Sequence, residues 1–352
     1  FFLEWRLSLA VLAPIVFALV ATLGTLKLIG HPLDIPGIML WIVIMGMGID
    51  YAIYYVCTYQ RHPDTGAWQM QTVRLSVFLA AATTFVGFGV LALAQHPLLR
   101  SIGVVSLLGI AYSLLGTYLI LPATMEKIFS PGDPSVCPPA ENFRKRIRAA
   151  LSRYRLLPGY PRVFARLKIR IDPMFRELDR FIGAPRRVMD IGCGFGVPAA
   201  WLLAKHPRAQ FFGLEPDEER VWIARRVIGA NGSVQAGRAP DLPDVAGPVD
   251  TVLMLDMLHL ISNDEFQLAL SRINEKLEPG GMLLVRATVP SARRMPWKRW
   301  VESARVALAG LTHRFRSEEE IAGLMRAAGL NVKVASSSVA GVEEKWFVGT
   351  KP

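Results

Sequence analysis

The residues best equipped for chemistry fall in two clusters far apart in the chain. The first centres on Asp50, in Met45-Gly46-Met47-Gly48-Ile49-Asp50-Tyr51, past the middle of a long apolar run. A carboxylate at the centre of a membrane helix costs about 2.5–3.5 kcal/mol on insertion scales, so such a residue faces a bundle interior and serves an ion or proton path. Tyr51, Tyr54 and Tyr55 put hydroxyls nearby, Thr83 and Thr84 on the next apolar run could add two more, and Gly46 and Gly48 would let another helix approach closely. The alternative is a structural aspartate, protonated or hydrogen-bonded. The second cluster is Val188-Met189-Asp190-Ile191-Gly192-Cys193-Gly194-Phe195-Gly196, which ends a strand and opens a helix. Glycines there permit a tight turn and let a ligand approach the backbone. A Gly-x-Gly-x-x-Gly dinucleotide fingerprint would need glycine where Val197 stands, which disfavours an NAD-dependent oxidoreductase.

The elements that must carry these clusters differ in kind. The chain has 352 residues, 52% of them hydrophobic and only 20% charged, with a mean hydropathy of +0.32, so membrane spans are expected. Four apolar runs, Leu7–Ile29, Gly37–Tyr59, Val73–Ala94 and Ile102–Thr124, each have roughly the twenty residues that cross a hydrocarbon core. Short connections make neighbours antiparallel, and Pro14 and Pro122 are tolerable inside membrane helices. No signal peptide is read before the first run, and the start at Phe1 reads as a cut through a longer protein. Arg61, Arg74 and Lys127 place the loop 60–72 and everything after Met125 in the cytoplasm.

The net charge of +11 is concentrated. Residues 141–176 carry +9, against +1 for residues 1–130 and +2 for residues 177–352. This excludes a uniformly basic, histone-like chain. It makes the excess a topology signal and membrane-surface anchor rather than a nucleic-acid interface. Cys57, Cys137 and Cys193 are too few and too scattered for a disulfide framework or a zinc site, and no metal is expected. The Pro-rich stretch 130–140 reads as a linker. Phe143, Ile147, Leu151 and Tyr154 then recur at helical spacing among arginines. That helix either lies on anionic lipid or packs on the next domain. From Asp172-Pro173, read as helix cap and first helical residue with Gly183 as the stop, strands alternate with helices. Strands are predicted at Arg187–Ile191, Gln210–Leu214, Ser233–Ala236, Thr251–Leu255, Met282–Arg286, Asn331–Ala335 and Lys345–Gly349. The fold class is therefore mixed: an α-helical transmembrane bundle of four helices (1–129), a linker with a basic juxtamembrane helix (130–171), and an α/β Rossmann-like domain (172–352).

Gly48-Ile-Asp50-Tyr51 resembles the Gly-x-Asp-Tyr motif of MMPL-type exporters in the resistance–nodulation–division superfamily. The flanking Leu28-Ile-Gly30-His-Pro32-Leu, Ala82-Thr83-Thr84-Phe85-Val-Gly87-Phe88-Gly89 and Gln95-His96-Pro97-Leu98-Leu99-Arg100-Ser101 agree with it. The resemblance covers residues 3–126 and looks like the last four helices of one six-helix repeat. It implies a proton relay through Asp50 and Tyr51 in the inner membrane, and as partners membrane lipid and the remaining exporter helices or a partner exporter subunit.

Asp190-x-Gly192-x-Gly194-x-Gly196 resembles motif I of class I S-adenosylmethionine (SAM) methyltransferases, as do Val249-Asp250 to His259 and Glu278-Pro279-Gly280-Gly281. That resemblance implies SAM as cofactor. The loop Gly192, Cys193, Gly194 and Gly196 would face the methionine moiety, with Asp190 orienting it. Glu215, in Phe212-Gly213-Leu214-Glu215-Pro216, would take the two ribose hydroxyls. Where many members carry an acid near the adenine amine, this chain has Gly237-Arg238-Ala239, so backbone amides there would serve adenine. Asp256 would contact the ligand's amino end or cap the next turn. His259 is a general base or a packed histidine. Residues Pro290–Thr312 look like an insertion whose Trp297 and Trp300 line an apolar pocket or simply pack, and His313 and Arg314 are weaker candidates. Together these features imply a cytoplasmic SAM-dependent methyltransferase tethered to part of a proton-coupled exporter, acting on a small apolar or lipid-like acceptor. The alternative is a transporter with a regulatory, non-catalytic SAM-binding domain.

Overall fold

The computed structural model describes residues 5–31, 35–61, 68–129, 142–289, 315–337 and 343–352. The stretch 130–140, the insertion 290–312 with Trp297 and Trp300, and His313 and Arg314 lie outside the described residues. The chain divides into two compact units, one made of Phe1–Gly132 with Leu156–Gly159, the other of Asp133–Arg155 with Tyr160–Pro352.

The first unit holds four helices, α1 (Trp5–Leu28), α2 (Ile35–Arg61), α3 (Trp68–Ala92) and α4 (Pro97–Phe129). Among the described residues, α1, α3 and α4 are long and apolar enough to cross a membrane, while α2 has 27 residues. The central helix is α4, which packs against each of the other three. Small residues make this approach possible: a Cβ on Gly109 would meet Ile44 Cγ2 at 2.8 Å, and one on Gly116 would meet Pro14 Cα at 3.0 Å. Pro14 is accommodated inside α1. Large apolar side chains such as Ile42, Phe78, Leu79 and Val86 face outward, as expected of helices whose solvent is lipid.

The second unit is a seven-stranded sheet in the order β3-β2-β1-β4-β5-β7-β6. Its strands are β1 (Arg187–Ile191), β2 (Gln210–Glu215), β3 (Gly232–Ala236), β4 (Val249–Leu255), β5 (Leu277–Thr288), β6 (Asn331–Ser336) and β7 (Glu344–Thr350). The first five are parallel, and β7 runs antiparallel to both neighbours. The near-continuous apolar content of β1 and β4 fits strands covered on both faces. The helices are α5 (Phe143–Ser152), α6 (Gly159–Ile171), α7 (Met174–Phe181), α8 (Val197–Lys205), α9 (Glu218–Ile228), α10 (Asn263–Lys276) and α11 (Glu318–Ala327). Both α10 and α11 open with complete capping boxes, Ser262 with Glu265 and Ser317 with Glu320. One core cluster against the sheet includes Met189, Val252, Phe266, Leu283 and Phe347.

Helix α5 packs on α8. Phe143 meets Trp201 edge-on at 5.3 Å. Arg146, only 3% exposed, lies 4.1 Å over the Trp201 ring and donates to Asp179 at 2.7 Å and to the Trp201 carbonyl at 3.0 Å. Asp172 lies one residue further from its helix than the sequence suggests: it accepts from the Met174 amide, and α7 starts after Pro173.

Candidate functional site

The strand order reverses direction between β1 and β4, and a crevice at the carboxyl ends of those strands is where open α/β sheets bind ligands. The glycine loop lies there. Gly192, Gly194 and Gly196 have φ of +77°, +55° and +72°, a region that only glycine enters cheaply. The amides of Gly192 and Cys193 both donate to the Leu214 carbonyl, at 2.8 and 3.1 Å, which ties the loop to β2. A Cβ on Gly194 would meet nothing within 4 Å, so this side of the loop is open. Cys193 is different. Its side chain is buried, and a Cβ on Gly213 would meet its sulfur at 2.9 Å. It fills the space between loop and sheet, so what it offers a ligand is backbone. Burial, then Asp190 and Glu215, push its thiol far above the ordinary range.

Two carboxylates sit beneath this loop. Glu215 ends β2, is 4% exposed, and its Oε2 accepts from the Gly194 amide at 3.0 Å. Asp190 is 2% exposed, and its Oδ2 has no hydrogen-bond partner. Burial, and then the nearby Glu215 charge, raise its pKa to about 7. A buried acceptor without a partner is costly unless a donor arrives. An ammonium beside Asp190 and a pair of hydroxyls at Glu215 would satisfy both, so these residues fit the amino and ribose ends of SAM. Pro216 is exposed on the rim. Of the adenine candidates, Ala239 is buried, while Arg238 reaches outward to Glu265 at 3.6 Å with its side chain 67% exposed. The Gly237 amide donates to the Glu215 carbonyl, continuing the same wall.

Asp256 follows β4 with φ +57°, strained for a residue other than glycine. The strain is held in place by Arg286. The Asp256 amide donates to the Arg286 carbonyl at 3.0 Å, and Arg286 Nη1 donates to Asp256 Oδ2 at 3.0 Å. Arg286 also pairs with Asp172 at 3.0 Å. Lys168 reaches Asp172 at 3.2 Å and Asp256 at 3.5 Å. Burial alone would raise Asp172, but Arg286 and Lys168 hold its carboxyl below the usual range. The glycine loop abuts this corner, since a Cβ on Gly192 would meet Met257 Cβ at 3.3 Å. His259, in the short 3-10 turn Leu258–Leu260, lines a small cleft with Asp256, Thr288, Phe315 and Arg316.

The structure brings the sequence-predicted loop, Asp190, Glu215, Asp256 and His259 to the carboxyl ends of β1, β2 and β4, and adds Arg286, Lys168 and the ionic role of Asp172, which sequence reasoning missed. One signal was available: Arg286 is the lone charge in the apolar strand segment Met282–Ala287, and a buried guanidinium requires carboxylates. A second omission is the aromatic cover of the loop. Tyr160 and Phe164 of α6 lie 5.8 and 5.2 Å from the Phe195 ring, and buried Tyr154 donates to the Phe195 carbonyl at 2.8 Å.

In the helical unit, Asp50 and Tyr51 diverge. Tyr51 is buried with Ile44, Val77, Ala81 and Ile110. Asp50 is exposed on another face of α2 with Ile42, Gly46 and Tyr54, at successive four-residue intervals. Thr83 and Thr84 donate to the Ala80 carbonyl of their own helix. Gly48 packs against Ser113 of α4.

Residues 7–130 match the MMPL family, and residues 188–281 match a methyltransferase domain family. A hopanoid transporter, HpnN, of Rhodopseudomonas palustris is 34% identical over 116 residues, 33% of this chain and 13% of that one. The ribosomal RNA small subunit methyltransferase C of Chromohalobacter salexigens is 30% identical over 156 residues, 42% of this chain and 45% of that one. Among solved structures, an O-methyltransferase family protein from Burkholderia thailandensis is 21% identical, covers 55% of this chain and 58% of that one, and has a TM-score of 0.43. The chain spans less than half the length of the curated relatives it matches first. It carries an MMPL domain followed by a methyltransferase domain, and a domain of this class implies SAM as methyl donor.

Proposed function

We propose that the second unit transfers a methyl group from SAM to a small apolar or lipid-like acceptor, from the cytoplasmic side of the inner membrane in which the first unit is embedded. The observation that carries the reading is the unpartnered carboxylate oxygen of Asp190 beneath an open glycine loop whose neighbour, Glu215, ends the adjacent strand. SAM, when bound, supplies an electrophilic methyl on a sulfonium. The chain's own residues bind and orient. Asp190 would accept from the amino group, Glu215, which now accepts from the Gly194 amide, would hold the vicinal hydroxyls, and Arg286 keeps Asp256 in place on the cleft wall. Proximity and alignment of the acceptor then supply most of the rate. His259, on the same wall, takes a proton where the acceptor carries one of high pKa. The hopanoid transporter among the relatives supports an acceptor of lipid character. The Lys and Arg distribution supports the cytoplasmic placement. A fluorescent-protein fusion after Pro352 should fluoresce and an alkaline phosphatase fusion should be inactive; the reverse would overturn that orientation. The site itself is tested by equilibrium binding of radiolabelled SAM to the purified full chain. Wild type should bind one equivalent and Gly194→Arg none; a wild type that binds none sinks the proposal.

A second reading, transport with a regulatory SAM-binding domain, draws on Asp50. Its exposed position on an apolar helix is expensive against lipid, which supports further exporter helices or a partner exporter subunit covering that face. Proton-coupled transport by such an assembly should fail with Asp50→Asn and survive Glu215→Ala. Loss with Glu215→Ala alone would reject this version.

A further inference from the structure

The stretch from Phe143 to Ile171 contains ten Lys or Arg residues and no Asp or Glu. Folding gathers half of them around one feature. A groove of about 320 Å³ between α5 and α6 is walled by Arg148, Arg155, Arg162, Arg166 and Arg170, over a floor that includes Ile147 and Leu151. The three α6 arginines recur every fourth residue, so they stack on one face of the helix, and like charges at that spacing repel. Arg148, Arg166 and Arg170 are exposed. Among the described residues no carboxylate forms an ion pair with any of these three. Among the described residues no Asp or Glu lines the groove, and with Arg148, Arg166 and Arg170 outside any ion pair it is a site for an anion from elsewhere.

The surroundings of the groove indicate which anion. Helix α6 also exposes Tyr160 (69%), Val163 (44%), Leu167 (50%) and Ile171 (74%). These residues follow the same helical repeat as the arginines and form an apolar stripe beside them. Its opposite face, with Pro161, Ala165 and Ile169, is buried in the unit, so this stripe is a second apolar face that the fold leaves uncovered. Aliphatic side chains flanked by arginines suit the boundary between phospholipid headgroups and acyl chains, whereas a nucleic acid would leave Val163, Leu167 and Ile171 unused. Covalent continuity adds to this. Thirteen peptide steps separate Phe129, the end of an apolar helix, from Asn142, and such a chain reaches at most about 45 Å.

We infer that the α5–α6 groove binds the phosphate headgroup of an anionic phospholipid, with the Tyr160–Ile171 stripe of α6 entering the acyl boundary beside it. The same helix carries Phe164, which meets Phe195 of the glycine loop edge-on, and Lys168, which pairs with Asp256. A lipid seated here therefore holds the membrane against the element that roofs the candidate site. The inference rests on the membrane placement of the first unit and is independent of whether methyl transfer occurs.

The test is hydrogen exchange on the full chain in nanodiscs of phosphatidylcholine alone and of phosphatidylcholine with a third phosphatidylglycerol. Peptides from residues 143–171 should exchange roughly tenfold more slowly in the anionic discs, with the β1 and β4 peptides unchanged. Arg148→Gln/Arg166→Gln/Arg170→Gln should abolish the difference, and the corresponding Lys triple variant should retain it, which separates loss of charge from loss of fold. Equal exchange of the wild type in both discs overturns the inference. So does equal protection by inorganic phosphate or by a short RNA in neutral discs, which would make the groove a site for a free anion or a nucleic acid. SAM binding measured in the same samples reports separately on the methyltransferase reading.

Discussion

Arg286 holds Asp256 twice, by its backbone carbonyl on the Asp256 amide and by its guanidinium on the Asp256 carboxylate, each at 3.0 Å. One residue of β5 thereby fixes both the left-handed backbone and the side-chain direction of the residue that closes β4. Asp172, from before α7, completes the cage. Replacing Arg286 by Met should leave two carboxylates without their main partner. Breaking a fully buried pair costs about 3–5 kcal/mol, and because Asp256 is a third exposed the loss should sit near or below the low end. Chemical denaturation should show the loss, and SAM affinity should fall with it. Unchanged stability would mean that Lys168 alone supports the site.

The raised pKa of Asp190 gives a pH signature. The ordinary value is 3.8 and the folded value about 7. An acid raised in the fold imposes no penalty below its unfolded pKa, an increasing one between the two values, and the full one above the folded value. Asp190→Asn should therefore stabilise the ligand-free protein by a few kcal/mol at most at pH 8 and hardly at all at pH 4. Thermal melts across that range measure it, and a pH-independent difference would assign Asp190 an ordinary pKa.

The same group should make cofactor binding release a proton. An ammonium partner favours ionised Asp190, so below pH 7 binding must displace its proton. Affinity should then drop by up to about tenfold per pH unit. Calorimetry in buffers of different ionisation enthalpy reads the released proton. A buffer-independent heat at pH 6 would exclude Asp190 from the contact.

Glu215→Ala removes the acceptor for two hydroxyls. Hydrogen bonds to a charged group contribute roughly 1.5–3 kcal/mol each, so SAM affinity should fall by at least about a hundredfold. It also removes the second cause of the Asp190 shift, so the stability–pH midpoint of Asp190 should move down. A variant with lower affinity but the same midpoint would mean that burial alone sets the shift.

Arg146→Gln should destabilise the second unit by about 2 kcal/mol, combining loss of a half-exposed ion pair with loss of the ring contact to Trp201. Arg144→Gln, on the exposed side of the same helix, should change stability by less than about 0.5 kcal/mol. Equal effects would show that α5 does not dock through Arg146.

Much of this protein was determined by local sequence. Apolar runs of about twenty residues leave a helix no alternative in lipid, and strands such as Arg187–Ile191 lie where their apolar content and flanking glycines place them. The glycine loop was equally legible, because φ values near +60° select glycine whatever surrounds them. Tertiary structure decided the partners. Nothing local to Arg286 names Asp256, 30 residues away, or Asp172, 114 away. Nothing local to the basic helix α5 says which of its arginines is buried, and it buries Arg146 because Trp201 and Asp179 meet there. Asp50 and Tyr51, adjacent in sequence, differ in burial because successive helical residues are about a hundred degrees apart. Spacing specifies which residues share a face, and only packing settles what that face meets.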